Sequence, residues 1–239
     1  ASMNGVQEAF RKAGRSVPVM LSVSIENMGT MLGGQDISAL AEAVAHFDLL
    51  ALGMNCATGP DFMTDHLRTL AAMTRAFTVC YPNAGLPDEN GDYNESADMV
   101  AKKIARFADE GWVNIVGGCC GTTPDYIRRI AETVAGKAPR RPHKSRRGAV
   151  SGMESLSLDE DRRPLLVGER TNVIGSKKFR DLISRGELEA AAEIARHQVR
   201  SGAHIIDVCL ANPDRDEKAD MIAFFEKAVR KVKVPFMID

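Results

Sequence analysis

The chain has 239 residues, of which 44% are hydrophobic and 26% charged, a composition typical of an ordinary soluble globular protein. Its 31 Lys and Arg nearly balance 32 Asp and Glu, which argues against a nucleic-acid partner. No apolar run approaches the roughly 20 residues that span a bilayer and no signal-peptide pattern is present, so we expect no membrane partner and a cytoplasmic location. Five cysteines, an odd number with one adjacent pair, fit a reducing compartment better than a disulfide framework.

Short β-branched runs alternate with longer amphipathic segments through the first part of the chain. Strands are predicted at residues 17–25, 49–55, 77–81 and 113–116. Helices are predicted near residues 36–47, 61–75, 96–110 and 124–135. The last helix has Thr123 at its N-cap and Pro124 at its first position.

Residues 137–164 interrupt this alternation with a basic, proline-containing stretch that begins KAPRRPHKSRRG. It is predicted to be an interdomain linker or an extended wrapping segment, and a solvated linker is favoured over a phosphate-binding cluster. The alternation then resumes. Strands are predicted at 165–167, 203–209 and 234–238, and helices near 187–201 and 217–231.

Strands that alternate with helices indicate an α/β fold with parallel sheets. A closed (β/α)8 barrel has eight strands, whereas four are predicted before the basic stretch and three after it. The sequence therefore predicts two partial (β/α)8 TIM barrels joined by a basic linker. The expected boundaries are residues 1–138, 139–163 and 164–239, and the chain is expected to be cut from something larger.

Cysteines at two predicted strand ends carry the strongest chemical signal. Cys119 and Cys120 are adjacent within GGCCGTTP, where the glycines permit a sharp turn, and Cys56 follows another strand within GMNCATGP. Strand ends on one face of a barrel converge, so three thiolates could hold Zn(II) with one tetrahedral position open. The alternative is that these are small buried residues at tight strand ends. Cys80 and Cys209 lie inside apolar runs and are predicted to be core residues.

The segments GMNCATGP and VNIVGGCCGTTPDYIRRIAE resemble the zinc-dependent homocysteine S-methyltransferase family. LLVGERTNVIGSKKF and GAHIIDVCLANPDRDE resemble the opening of a pterin-binding barrel. Joined in this order, the two modules resemble the family of cobalamin-dependent methionine synthases. This resemblance implies that residues 1–138 are the C-terminal half of a homocysteine-binding barrel and that 164–239 begin a pterin-binding barrel.

The resemblance further implies that Cys56, Cys119 and Cys120 ligate zinc and that homocysteine adds its sulfur as the fourth ligand. Zinc would deprotonate this thiol, which then attacks the methyl group of methylcobalamin. The expected cofactors and partners are Zn(II), homocysteine, methyltetrahydrofolate as methyl source, and cobalamin held by a module outside this chain. No catalytic residue is expected beyond the metal site. Asn55 could orient a ligand or the substrate, or be a structural amide.

In the second half, carboxylate and carboxamide side chains could match the donor and acceptor edge of a pterin ring. By resemblance to pterin-binding barrels, Asp207 and Asn172 are the better candidates, followed by Glu169. Asp207 stands out because a charged residue inside an apolar run needs a partner or a role. For Glu169 the alternative is a local ion pair with Arg170.

Three other functions compete with this interpretation. The chain could be a methyltransferase that uses betaine or a methylsulfonium donor, for which a pterin-like second half has no purpose. It could be a non-catalytic fragment that retains only zinc binding. It could also be a redox or structural metal protein, which predicts four protein ligands and no response to homocysteine.

Overall fold

A computed structural model describes residues 2–56, 59–142 and 148–239 of the chain. The chain divides into two compact units, Ala1–Arg146 and Arg147–Asp239. Each unit is α/β with a parallel sheet, as the alternating pattern predicts. Within the described residues, no helix has both the length and the apolar character that crossing a bilayer requires.

The first unit contains a four-stranded parallel sheet in the order β1-β2-β3-β4. Its strands are β1 (Met20–Val23), β2 (Ala51–Asn55), β3 (Phe77–Tyr81) and β4 (Ile115–Val116). Its helices are α1 (Ser2–Ala13), α2 (Ile37–Val44), α3 (Pro60–Met73), α4 (Ala97–Asp109) and α5 (Pro124–Val134). All four predicted strands and the four helices that follow them are therefore present. Helix α1 is an addition that the sequence analysis did not predict.

Local sequence explains where these elements begin and how closely they pack. The side chain of Asp36 accepts a hydrogen bond from the Ala39 amide at the start of α2, and Ser96 does the same for α4. Thr123 is at the N-cap of α5, although its side chain makes no capping hydrogen bond. In β2, a Cβ atom on Gly53 would lie only 2.0 Å from the carbonyl oxygen of Val79, so this close approach of β2 and β3 requires glycine.

The end of the first unit differs from the predicted solvated linker. Arg140 is 4% exposed, and its guanidinium donates to the backbone carbonyls of Ala71, in the last turn of α3, and of Thr74 and Ala76, just after it. Its own carbonyl accepts from the side chain of Asn114. The first part of the basic stretch is thus folded against α3. The remainder of the basic cluster, residues 143–147, lies outside the described residues.

The second unit opens with an antiparallel hairpin in place of an extended segment. Strands β5 (Ala149–Ser151) and β6 (Ser155–Ser157) pair with each other and are followed by a short 3-10 helix, Glu160–Arg162. The turn packs closely on residues 233–235, because a Cβ on Gly152 would lie 2.3 Å from the Lys233 carbonyl oxygen. The Met153 amide donates to that same carbonyl. Residues 148–157, predicted as linker, therefore pack onto the second unit.

The remaining elements of the second unit form a parallel sheet in the order β7-β8-β9. These strands are β7 (Val167–Asn172), β8 (Ile205–Cys209) and β9 (Phe236–Ile238), and the helices are α6 (Lys177–Ser184), α7 (Leu188–Arg200) and α8 (Glu217–Ala228). Helix α6 begins at Lys177. The predicted strand at 165–167 is shifted, because β7 continues to Asn172 and includes Glu169, which the sequence analysis placed after the strand. All five residues of β8 are buried, as expected of a strand covered on both faces.

Candidate metal centre

Three cysteine sulfurs converge at the carboxyl ends of the strands in the first unit. Cys56 directly follows β2, and Cys119 and Cys120 lie in the loop between β4 and α5. The Sγ atoms of Cys56 and Cys120 are 3.4 Å apart, those of Cys119 and Cys120 are 4.0 Å apart, and all three lie within 4.8 Å of one another. Tetrahedral zinc with Zn–S bonds of about 2.3 Å places its sulfurs about 3.8 Å apart. The three donors therefore fit one thiophilic metal ion.

Backbone hydrogen bonds to the loop after β3 hold the adjacent pair in place. The Cys119 amide donates to the Pro82 carbonyl at 2.8 Å, and the Cys120 amide donates to the side-chain oxygen of Asn83 at 3.2 Å. The Cys120 carbonyl accepts from the Ala84 amide at 2.9 Å. These bonds fix the dipeptide relative to β3.

Unusual backbone conformations bring the sulfurs together. Cys56 has φ 56°, and it is the one non-glycine residue with positive φ among the described ranges. For such a residue this conformation costs on the order of 1 kcal/mol or more, and strain of this kind gathers at functional sites. Its amide donates to the Tyr81 carbonyl at 3.0 Å, which holds the turn. Beyond the pair, Gly121 has φ 77°, as the sharp turn after two cysteines requires.

Burial favours the protonated form of one of the three thiols, that of Cys119. Burial, reinforced by the neighbouring Cys56 thiol, raises the pKa of Cys119 to about 11. Concentrating several thiolates in one place is unfavourable without a cation, because like charges repel. A metal ion would displace these protons and supply the missing positive charge.

Sequence reasoning missed two side chains at this site, both in the loop between β3 and α4. One is Asn83, which is buried and bonds to the Cys120 amide. The other is Tyr93, whose ring lies against Gly121; desolvation and the neighbouring Cys120 sulfur raise the Tyr93 pKa. The loop follows a strand and lies at the same edge of the sheet as the cysteines. The strand-end argument that selected Cys56 could therefore have selected Asn83.

Asn55, predicted to contact substrate, links two strands beside the cysteines. Its side-chain oxygen accepts from the Ser22 hydroxyl at 2.6 Å, and its backbone carbonyl accepts from the Ser24 hydroxyl at 3.1 Å. These contacts anchor the end of β2, where Cys56 begins. They give Asn55 a structural task, and a contact with substrate stays a prediction.

In the second unit the structure brings together two of the three predicted pterin contacts. Asp207 is 4% exposed within β8, and the Nδ2 atom of Asn172 lies 3.4 Å from its Oδ2 atom. The Asn172 Oδ1 atom also accepts from the amides of Ile174 and Gly175, which fixes the turn after β7. Glu169 is exposed on β7.

The fold and the site define a class: an α/β protein of parallel strands with a three-thiol candidate metal centre at the strand carboxyl ends. A profile of the homocysteine S-methyltransferase family matches residues 2–134, which is more than half of the chain. The chain belongs to the homocysteine S-methyltransferase family. A second profile, of pterin-binding enzymes, matches residues 168–239.

Curated relatives contain both segments within much longer proteins. The methionine synthase of Mycobacterium tuberculosis is 38% identical over 243 aligned positions, covering all of this chain and 20% of that protein. The methionine synthase of Mycobacterium leprae is 38% identical over 248 positions, again over the whole chain and 21% of that protein. The chain thus spans about a fifth of the length of these relatives.

Among solved structures, the carboxyl transferase domain of Rhizobium etli pyruvate carboxylase aligns with 99% of this chain and 38% of its own. The TM-score is 0.33 at 15% identity, so this likeness supports no conclusion about fold or function.

Proposed function

We propose that this chain contributes the zinc and homocysteine centre, and the opening of the folate site, to an enzyme that methylates homocysteine to methionine. Methyltetrahydrofolate would be the methyl source, and cobalamin, carried by a module outside these 239 residues, would relay the methyl group. The observation that carries the proposal is the convergence of three cysteine sulfurs within 4.8 Å. The family membership of residues 2–134 and the pterin-binding profile over 168–239 support the two substrates.

Cys56, Cys119 and Cys120 would hold the metal through three thiolates, with Asn83 and the Pro82 carbonyl keeping the adjacent pair in position. Bound zinc would offer one open coordination position, where the homocysteine sulfur is kept as a nucleophilic thiolate at neutral pH. The chain's own part in the reaction is to provide the three donors and to hold them in a fixed arrangement. No side chain is assigned a proton-transfer step at this centre.

We further propose that each sheet is a segment of a (β/α)8 barrel. Strands β1 to β4 are parallel and neighbour one another in chain order, with a helix between each pair, which is the barrel pattern. A doubly wound sheet would instead reverse its strand order. Active sites of such barrels lie at the carboxyl ends of the strands, where the cysteines are found.

In the second unit we propose that Asp207 and Asn172 face the pterin ring, with Glu169 nearby. A nearly buried carboxylate paired with an amide offers acceptors and donors in a fixed geometry. Asn172 ends β7, and Asp207 lies at the centre of β8, the neighbouring parallel strand. Asp207→Asn should therefore weaken methyltetrahydrofolate binding by about tenfold, measured by calorimetry on the full-length enzyme.

Metal analysis of the purified chain tests the zinc centre. We expect about one zinc per chain for the unaltered protein and a near-complete loss in Cys119→Ala. Cys209→Ala is the matched control, since this buried cysteine lies in β8, in the other unit. Zinc content near zero in the unaltered protein, or unchanged by Cys119→Ala, would contradict the proposal.

X-ray absorption at the zinc edge with and without homocysteine separates the competing functions. A methyltransferase centre gains one sulfur ligand when homocysteine is added. A structural or redox metal site shows four protein ligands and the same spectrum in both samples. A betaine or methylsulfonium enzyme also gains the sulfur, but it transfers methyl groups without methyltetrahydrofolate.

A further inference from the structure

A β-bulge interrupts β7 beside the proposed pterin site. The pairing of β7 with β8 advances three residues along β7, from Gly168 to Thr171, while it advances only two along β8. Strand β7 therefore contains one extra residue, and Glu169 and Arg170 together stand opposite Asp207. Bulges of this kind re-aim side chains and are frequent next to functional sites, so we asked what holds this one in place.

The extra residue changes how side chains are distributed along β7. In a regular strand successive side chains alternate between faces, so a single residue separates two that share a face. Gly168 and Thr171 both face α7, since a Cβ on Gly168 would lie 2.9 Å from Gln198 Oε1 and the Thr171 hydroxyl accepts from Gln198 Nε2 at 3.3 Å. Two residues, Glu169 and Arg170, now separate them, and both are exposed. The bulge thus gives this stretch of β7 two exposed charged side chains in place of one.

The side chain of Gln198, on α7, holds the bulge. Gln198 is 8% exposed, and both ends of its amide group are used. Its Oε1 atom accepts from the Arg170 backbone amide at 2.6 Å, and its Nε2 atom donates to the Thr171 hydroxyl. A bulge leaves backbone groups without partners in the strand ladder, and an unpaired buried amide is costly. Gln198 therefore supplies the acceptor that the bulged segment needs.

Buried hydrogen bonds extend this contact to Asp207. Thr171 is completely buried, and its hydroxyl donates to the Asp207 backbone carbonyl. The next residue is Asn172, whose Nδ2 atom lies 3.4 Å from Asp207 Oδ2. One chain of hydrogen bonds therefore runs from Gln198 through Thr171 to the backbone of the proposed pterin-binding pair.

We infer that Gln198 is a positioning residue for pterin binding, which acts by fixing the bulge opposite Asp207. Glu169 and Arg170 leave the bulge in directions that the Gln198 hydrogen bonds set. Groups that bind the donor and acceptor edge of one rigid ring must be held close to their productive positions by the residues behind them. This inference rests on the proposed pterin site and adds to it a residue of the outer helix.

Calorimetric titration of the full-length enzyme with methyltetrahydrofolate tests the inference. Gln198→Met keeps the length of the side chain but removes both hydrogen bonds, so it should raise the Kd about tenfold. Thr171→Val removes the hydroxyl at nearly the same shape and should raise the Kd by a similar factor, whereas Thr171→Ser keeps the hydroxyl and should stay within about twofold of the unaltered enzyme. The Kd for homocysteine, whose proposed site lies in the other unit, should not change in any variant. A general loss of folded protein would not separate the two ligands in this way.

Val199→Ala is the matched control, because Val199 is the next residue of α7 and packs on the hydrophobic core of the second unit. It should lower stability and leave the Kd for methyltetrahydrofolate within about twofold. If Gln198→Met and Thr171→Val both bind like the unaltered enzyme while Asp207→Asn binds more weakly, the inference is overturned and the pterin site stands. An equal loss of affinity in Val199→Ala and Gln198→Met would also overturn it, since the effect would then be one of stability. If Asp207→Asn leaves binding unchanged, the proposed pterin site fails and the inference fails with it.

Discussion

Arg140→Ala should destabilise the first unit far more than Arg141→Ala does. Both Arg140 and Arg141 belong to one basic run in the sequence, yet only Arg140 is buried, and Arg141 is exposed. The Arg140 guanidinium donates to three backbone carbonyls at the end of α3. The last carbonyls of a helix have no partner within the helix, so this side chain satisfies groups that would otherwise be left unpaired.

The expected loss follows from those three acceptors. A typical hydrogen bond contributes about 1 kcal/mol, and a charged donor contributes more. Burial lowers the pKa of Arg140, which reflects a desolvation cost that offsets part of the gain, so we use the lower figure. Truncation should therefore reduce the free energy of unfolding by about 3 kcal/mol. Arg141→Ala should change it by less than about 0.5 kcal/mol.

Urea unfolding followed by tryptophan fluorescence measures this difference. Trp112, the single tryptophan of the chain, packs on Phe107 in the first unit with ring centroids 6.0 Å apart, so its signal reports on that unit. With a slope of about 2 kcal/mol per molar urea, the midpoint should fall by about 1.5 M in Arg140→Ala. A midpoint within about 0.3 M of the Arg141→Ala value would refute the capping role of Arg140.

Three further predictions concern the site and the two cores. Gly121→Ala should weaken zinc binding about tenfold or more in a chelator competition, because the new Cβ would meet the Tyr93 ring at 2.4 Å. Gly136→Ala, at the same φ of 77° but with no atom within 4 Å, should leave zinc affinity unchanged. Phe179 is a fully buried core residue of the second unit, so Phe179→Ala should lower the free energy of unfolding by about 3–5 kcal/mol, measured by a circular dichroism melt. A decrease under about 1 kcal/mol would contradict its core role. Burial raises the pKa of Cys80 to about 12, so the folded chain keeps a proton that the unfolded chain releases above the ordinary value of 9.0. The contribution of the buried thiol to stability is complete below pH 9 and falls as pH rises toward 12. Between pH 8.5 and 10.5 the free energy of unfolding should therefore fall by about 2 kcal/mol more in the unaltered chain than in Cys80→Ala, measured in the tryptophan assay.

Hydrophobic periodicity was sufficient to predict the parallel sheets, because buried strands and amphipathic helices have distinct patterns over several residues. Periodicity did not predict the features that depend on contacts between residues distant in the sequence. Arg140 looks like a solvated base in sequence, but its partners are carbonyls at the end of α3, more than 60 positions away. The hairpin at residues 149–157 was missed for the same reason, since its close packing on residue 233 cannot be seen in local composition.

The cysteines of the candidate site could be predicted because each stands at a strand end with a chemically distinctive side chain. Parallel strands bring their carboxyl ends to one edge, so Cys56 and the 119–120 pair had to be near each other. Tyr93 could not be predicted in this way. It lies 12 positions beyond the end of β3, in a polar loop whose path depends on the Asp88 turn and the Glu95–Lys103 ion pair.

Two different segments of the chain build the candidate site. The glycine-flanked cysteine pair supplies donors, but the hydrogen bonds that orient it come from the loop after β3, through Pro82, Asn83 and Ala84. Bonds of this kind support the donors from outside the motif, as a preorganised metal site requires. The same loop continues to Tyr93, whose ring lies against Gly121, directly after the cysteine pair. The loop between β3 and α4 therefore positions the donors that the cysteine motif supplies.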